Sequence, residues 1–385
     1  MNNLKVGGAE KALVSLLQTI DYDRFDVDLF LFEHDGMFLK SVPRQVSILP
    51  APENYRYFEM PLGVSIKAFL KRGQIGLALS RMLFGYVYRT RKIGTQQEQF
   101  SWKYLRTAMP KLPKKYDAAI GYLEKRPNYF CIDNVDAKVK IGFIHNDYNK
   151  LQMDAGFDLP YFRKFDHIFT ISQQCETILK ENFPAIAHKF SIMYNIVSPA
   201  ALQALAETPI DFPKRGVTLV TVGRLQPQKG FDMAVDALKI LVDKGHDVYW
   251  YILGEGEQRS MLTEKTTELG LQDRFVLLGI RENPYPYVKA ADIYVQPSRF
   301  EGKSIAIDEA KILAKPIVVT NFPSVIDQIE DRRNGLIVDM SPEAIASGIE
   351  ALIENPSLSQ TLQDNLSREK LGTEAEIEKL YHAIG

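Results

Sequence analysis

The chain has 385 residues, 45% of them apolar, with 47 basic and 48 acidic side chains. That length exceeds one ordinary domain and makes two domains of ~150 to 200 residues the natural division. So even a charge balance argues against a general nucleic-acid binder, and Cys131 and Cys175 supply neither a disulfide framework nor metal-ligand spacing, which points to a reducing, cytosolic compartment.

In chain order, Gly7 and Gly8 precede a helix expected over residues 9–17, with Glu10 as a first-turn acid and Lys11 beside it. Glycines at a helix mouth let backbone amides approach an anion, assisted by the helix dipole. Strands are expected at 25–32, 116–122, 139–144, 167–171 and 190–194, alternating with helices in the manner of a parallel sheet. His145, with Asn146 and Asp147, follows the strand 139–144 and so stands at a carboxyl strand end, where open parallel sheets bind ligands.

Residues 199–215 carry Pro199, Pro209 and Pro213 and read as a linker. Beyond it the β-branched run 217–222 enters Gly223, Arg224 and, five residues on, Lys229, ahead of an amphipathic helix at 232–242. Two cations at that strand end suit a pyrophosphate, Arg224 by its planar fork and Lys229 as a point charge. A strand at 247–253 ends in Gly254 and Gly256, which implies a tight turn or a close backbone approach. Strands at 275–278, 293–295, 316–320 and 336–338 and a last helix at 373–383 complete the pattern.

Glu301 and Glu309 are separated by seven residues at the start of a helix expected over 304–313. One carboxylate lies at the helix mouth and the other roughly 9 Å further along, at ~1.5 Å per residue. That matches the span from the sugar to the ribose of a nucleotide sugar, with Gly302 and Ser304 opening amides to the diphosphate between. Alone, such a pair of acids is common on a solvated helix face; its neighbours in sequence give it weight.

Residues 61–115 contain twelve Lys or Arg and one acid, Glu98. They are interleaved with Phe69, Leu70, Leu79, Met82, Leu83, Phe84, Tyr86 and Trp102, which suits amphipathic helices on an anionic membrane surface. No apolar run reaches the ~18 residues of a spanning helix, and residues 1–17 lack the regions of a signal peptide.

These motifs together resemble the retaining glycosyltransferases of family 4, also called group 1. The resemblance rests on Gly7 to Lys11, His145 to Asp147, Gly223-Arg224 with Lys229-Gly230, Gly254 to Gly256, Asn283 to Tyr285, Pro297 to Gly302 and Glu309-Ala310, in the family's order along nearly the whole chain. It implies an α/β GT-B fold, two Rossmann-like parallel-sheet domains facing a cleft: an acceptor-side domain over 1–198, a nucleotide-sugar domain over 216–365, and a tail, 366–385, crossing back. It further implies transfer from a nucleotide sugar, a UDP-sugar by family frequency, to a lipid-linked saccharide in capsular or other surface polysaccharide synthesis, at the inner face of the plasma membrane.

On this reading His145, Glu301, Arg224 and Lys229 carry catalysis. Gly7, Gly8, Gly223, Gly254, Gly256, Asn283, Gly302, Lys303, Ser304 and Glu309 complete the donor site with Arg224 and Lys229. Lys303 stands where many relatives have an aromatic or aliphatic residue. No second carboxylate presents itself for a double displacement, so a same-face reaction is favoured, with no cofactor and no metal required. A nucleotide-sugar epimerase or hydrolase of the same architecture, or a catalytically silent binding subunit, are the alternatives. The family's first apolar strand has no counterpart in Met1 to Val6, so the first sheet is expected to lack it, as in a chain with a truncated start.

Overall fold

The computed structural model describes residues 1–5 and 7–385; residue 6, last of the segment before the glycine pair, lies outside the described residues. The chain forms two compact units, one of Met1–Lys5, Ala9–Tyr194 and Glu376–Gly385, the other built on Asn195–Ala375.

In the first unit β1 (Asp28–Leu29) and β2 (Ser47–Ile48) form a parallel pair. A separate parallel sheet runs in sequence order through β3 (Lys115–Gly121), β4 (Asp136–Ile144), β5 (His167–Thr170) and β6 (Phe190–Ile192). The strand expected over 25–32 thus shrinks to two residues. Its continuation bonds instead to the first residues of the chain: Met1 N donates to Phe30 O (3.1 Å), and Met1 O and Asn2 O accept from Phe32 N (3.2 Å) and Glu33 N (2.9 Å). Met1 and Leu4 are buried there.

The unit's helices are α1 (Gly8–Thr19), α2 (Tyr55–Glu59), α3 (Leu62–Lys71), α4 (Ile75–Thr90), α5 (Gly94–Leu105), α6 (Arg126–Asn134), α7 (Ala155–Phe162) and α8 (Gln173–Asn182). One core lies under β4 to β6, and a second, aromatic core gathers Phe58, Phe69, Phe84, Trp102 and Tyr129. Arg126 ties the second together, donating to Tyr55 Oη (3.0 Å), Tyr88 Oη (2.8 Å) and Glu59 Oε1 (3.3 Å). A buried guanidinium with several acceptors fixes orientation as well as charge.

The second unit holds β7 (Val217–Val222), β8 (Val248–Leu253), β9 (Phe275–Gly279), β10 (Ile293–Gln296), β11 (Ile317–Thr320) and β12 (Leu336–Val338), all parallel, in the order β12-β11-β10-β7-β8-β9. Its strands are apolar on both faces. Leu219 and Ile252 face one core with Phe231, Trp250 and Ile349, while Val220 and Leu253 face the other with Tyr294 and Ile307. Such doubly covered strands are the mark of a parallel sheet flanked by helices. The helices are α9 (Pro199–Ala206), α10 (Phe231–Asp243), α11 (Arg259–Glu268), α12 (Tyr285–Ala290), α13 (Ile305–Ile312), α14 (Pro342–Glu354) and α15 (Pro356–Arg368).

The stretch expected to be a linker therefore contains a helix, α9. Pro199 sits in its first turn, where the missing N–H costs nothing, so the proline starts a helix and does not break one. The last helix, α16 (Ile377–Ile384), belongs to the first unit, with Tyr381 stacked on Phe25 at 4.9 Å. In the second sheet the order reverses between β7 and β10, and at the carboxyl ends of such a switch point open parallel sheets bind ligands.

Candidate functional site

The loop after β7 and the loop after β10 meet through Lys229 and Glu301. Lys229 Nζ lies 2.6 Å from Glu301 Oε1, and the same oxygen accepts from Ser298 Oγ (2.6 Å) and Gln296 Nε2 (3.3 Å). Gln228 Nε2 donates to Oε2 at 3.3 Å. The two ionised side chains are 17% and 8% exposed, so this ion pair sits in a low-dielectric setting where geometry and extra donors decide its worth. Two residues read separately from the sequence are thus partners, and Lys229 is not a free phosphate ligand. Arg224 is exposed and its side chain makes no hydrogen bond or ion pair among the described residues, which leaves its guanidinium available at the same strand end.

Both loops are fixed from behind. Arg299 grips the Asp232 carboxylate bidentately at 2.8 and 2.7 Å and donates to Pro227 O at 2.8 Å, while its own amide reaches Gln228 O. The paired guanidinium holds the Asp232 carboxyl below its usual range. Gly230, at φ 67°, lies where a Cβ would come within 2.0 Å of Pro297 O, so only glycine lets the loops approach this closely. Gly254 and Gly256 answer to a similar demand: added Cβ atoms would fall 1.9 Å from Gly223 O and 2.4 Å from Leu225 O. Their lack of a side chain serves backbone packing against the loop that bears Gly223 and Arg224.

At the mouth of α13 the expectation needs correcting. The helix begins at Ile305, and the Ser304 amide already donates to Gln328 Oε1 at 2.8 Å. Gln328 Nε2 returns to Ser304 O (2.7 Å) and to Asp308 Oδ1 (2.8 Å), so this side chain caps the helix that Ser304 was expected to leave open. Lys303 lies in the same buried corner, its Nζ 3.7 Å from Asp308 Oδ2, and Gly302 precedes it. Glu309, about one turn into α13, is buried and accepts from Tyr285 Oη at 3.0 Å. Burial first, and the adjacent carboxylate second, push the Tyr285 hydroxyl far above its ordinary pKa, so it stays a donor.

Asn283 was expected beside the base, but its amide is spent on Leu205 O (2.8 Å) and Thr208 Oγ1 (3.2 Å), joining α9 to the start of α12. Tyr285 is the residue of that motif that reaches Glu309. Gln328 and Tyr285 were both missed as site residues. The single available signal was the Asn-Pro-Tyr motif, which placed Tyr285 at a helix start after β9.

In the first unit His145 follows β4 and is 5% exposed. Its backbone N–H donates to Glu124 Oε2 at 3.0 Å, and Asn146 Nδ2 to Glu124 Oε1 at 2.8 Å. Neither ring nitrogen meets a hydrogen-bond partner among the described residues. Burial pushes the imidazole down to about 4, against the opposing pull of the Glu124 carboxylate, so the ring is neutral near pH 7. Glu124, in the turn after the neighbouring β3, is a further residue that sequence reasoning passed over. Its neighbour Lys125 holds φ 69° and pairs with Glu98 at 3.0 Å. Gly8 opens α1, with Gly7 just before it.

The His–carboxylate grouping with spacing for an ion, His246, Glu350 and Glu354, stands at the amino end of β8, opposite the site loops, and Lys244 already neutralises Glu350 at 2.6 Å.

Residues 207–369, most of the second unit, match the model of the family described as glycosyl transferases group 1. The lipopolysaccharide core biosynthesis glycosyltransferase LpsE of Rhizobium meliloti is 28% identical over 54% of this chain and 59% of its own length. The Campylobacter jejuni N-acetylgalactosaminyltransferase acting on N-acetylgalactosamine-N,N'-diacetylbacillosaminyl-diphospho-undecaprenol is 26% identical over 62% of this chain and 68% of its own. HepE of Anabaena, solved with UDP and glucose, superposes with a TM-score of 0.66 at 16% identity, covering 99% of this chain and 97% of that one. That likeness concerns the fold, which is the expected α/β GT-B class with two parallel-sheet units. The chain spans about half the length of the first curated relatives it matches, 41%, 59% and 60%.

Proposed function

We propose that this chain is a glycosyltransferase that moves a sugar from a nucleotide sugar, a UDP-sugar, to a lipid-linked saccharide during surface polysaccharide synthesis, with retention of configuration. The observation that carries the reading is the convergence of Lys229, Glu301 and the Arg224 side chain on the carboxyl ends of β7 and β10, with Glu309 on the adjoining helix α13 bonded to Tyr285 at the start of α12. The order of charges suits a nucleoside diphosphate sugar: cations for the diphosphate, one acid for the sugar hydroxyls and another for the ribose. HepE is a UDP-bound protein of this fold, and the Campylobacter relative acts on an undecaprenol-linked acceptor; both support the donor and acceptor classes proposed.

In this reading Arg224 and Lys229 stabilise charge on the departing diphosphate, in place of a metal ion. Neutral His145, with both ring nitrogens unsatisfied, serves as hydrogen-bonding partner to the transferred sugar or the acceptor. Membrane association through residues 61–115 puts the reaction beside its lipid-linked acceptor.

The test is calorimetry with UDP and GDP. Glu309→Ala and Arg224→Ala each remove a charged partner and are expected to weaken UDP binding by about 2–5 kcal/mol. His145→Ala should leave it intact and lower transfer. Unchanged affinity in both donor-side variants would defeat the assignment, and cleavage of the donor with no dependence on acceptor would move it to a hydrolase or epimerase.

A further inference from the structure

Among the described residues thirteen large apolar side chains are exposed, and seven of them fall between residues 64 and 86. Five lie on α4: Ile75, Leu79, Met82, Leu83 and Tyr86, between 42% and 66% exposed. Their spacing of four, three, one and three residues draws one stripe along the helix. The opposite face of α4 is buried through Ala78, Arg81 and Phe84, with Arg81 donating to Met60 O at 2.8 Å. Hence the stripe does not reflect a helix packed the wrong way round. Val64 and Leu70 add exposed apolar surface on α3, which packs beside α4.

The aromatics interleaved with the basic residues divide between two jobs. Phe69, Phe84 and Trp102 are core residues, so the expected membrane face cannot include them. The basic residues around the stripe are exposed: Lys67 and Lys71 on α3, Arg89 near the end of α4, and Arg91 and Lys92 just after it. None of these five forms an ion pair among the described residues, and no acid occurs from residue 61 to Glu98. Apolar surface of this extent on a soluble face marks an interaction site. Its charge selects the partner: in a two-fold pairing of copies each basic rim would meet itself, whereas an anionic bilayer offers hydrocarbon to the stripe and phosphate to the rim.

We propose that α4 lies in the headgroup region of an anionic lipid surface, with Ile75, Leu79, Met82, Leu83 and Tyr86 inserted and the flanking Lys and Arg on lipid phosphates. This deepens the membrane part of the proposed function and rests on it for the place of the reaction; the surface itself is read from the first unit alone.

The experiment is co-sedimentation of the full chain with vesicles of equal phosphatidylglycerol and phosphatidylcholine, against pure phosphatidylcholine, over a salt series. Wild type should pellet with the mixed vesicles and lose binding as salt rises. Each basic residue removed is expected to weaken binding about fivefold, so the pair R89E and K92E should lose at least twenty-five-fold. The pair L79E and L83E should lose more than tenfold, and I326E, an exposed apolar residue of the second unit, nothing. UDP calorimetry on the same proteins separates the two readings: loss of UDP binding with vesicle binding kept would touch only the nucleotide site. Equal pelleting of wild type and the L79E/L83E pair would overturn the proposal. So would a wild-type dimer in light scattering that becomes monomeric in that pair, with no vesicle binding in either.

Discussion

Replacing Lys229 by alanine leaves the Glu301 carboxylate with Ser298, Gln296 and Gln228 as donors and no compensating charge. A buried ion stranded in this way costs about 3–5 kcal/mol, whereas removing both charges costs far less. Urea unfolding of the second unit should therefore rank Lys229→Met well below the Lys229→Met, Glu301→Gln double variant. Equal stability of the two would show that the pair is solvent-compensated. Lys229 has consequently two duties. It holds the Glu301 carboxylate in place, and in the proposed function it also stabilises the departing diphosphate. Arg224 has one, so its loss should spare stability and affect only binding.

Among the elements, α13 is held by Gln328 from the far side of β11. Gln328→Ala removes an acceptor from the buried Ser304 amide and a donor from the buried Ser304 O and the half-buried Asp308. A loss of roughly 1–3 kcal/mol is expected from unsatisfied groups of this kind, read as a shift of the urea midpoint without a change of slope. A neutral outcome would mean that water takes over the cap. The sequence could not show this contact, since Gln328 lies twenty-four residues from Ser304 and belongs to no periodic pattern. What it could show was carried by local chemistry. The β-branched run placed β7 correctly, because a doubly buried strand needs such residues whatever surrounds it. β1 was read too long and β2 escaped, as two-residue strands leave no period to read. Composition also failed on the α3–α5 segment: it counts Phe84 and Tyr86 alike, and only the helical spacing sends one inward and the other out.

At the scale of the molecule, acid should test the first unit and nucleotide the second, because His145 and Asp158 lie in the first compact unit while Arg224, Lys229, Glu301 and Glu309 lie in the second. His145 is neutral in the fold and pushed down to about 4 from an ordinary value of 6.5, so its contribution is present above pH 6.5 and is lost as pH falls towards 4. Asp158 runs the other way. Burial lifts its carboxyl from 3.8 to about 6, although Tyr129 Oη and Tyr148 Oη donate to it at 2.5 and 2.7 Å. Its contribution is complete below pH 3.8 and disappears as pH rises through 6. The two windows overlap and the shifts are similar, each worth about 3 kcal/mol at ~1.4 kcal/mol per pH unit. The wild-type first unit should therefore change little in stability between pH 4 and 6.5 on account of this pair. Asp158→Asn exposes the histidine, and the unit should weaken steadily on acidification. His145→Asn exposes the aspartate, and the unit should strengthen over the same interval. Thermal unfolding followed at several pH values with saturating UDP, which should raise the second unit's transition alone, resolves the two slopes. Parallel pH profiles in both variants would refute the assignment of opposing titrations to His145 and Asp158.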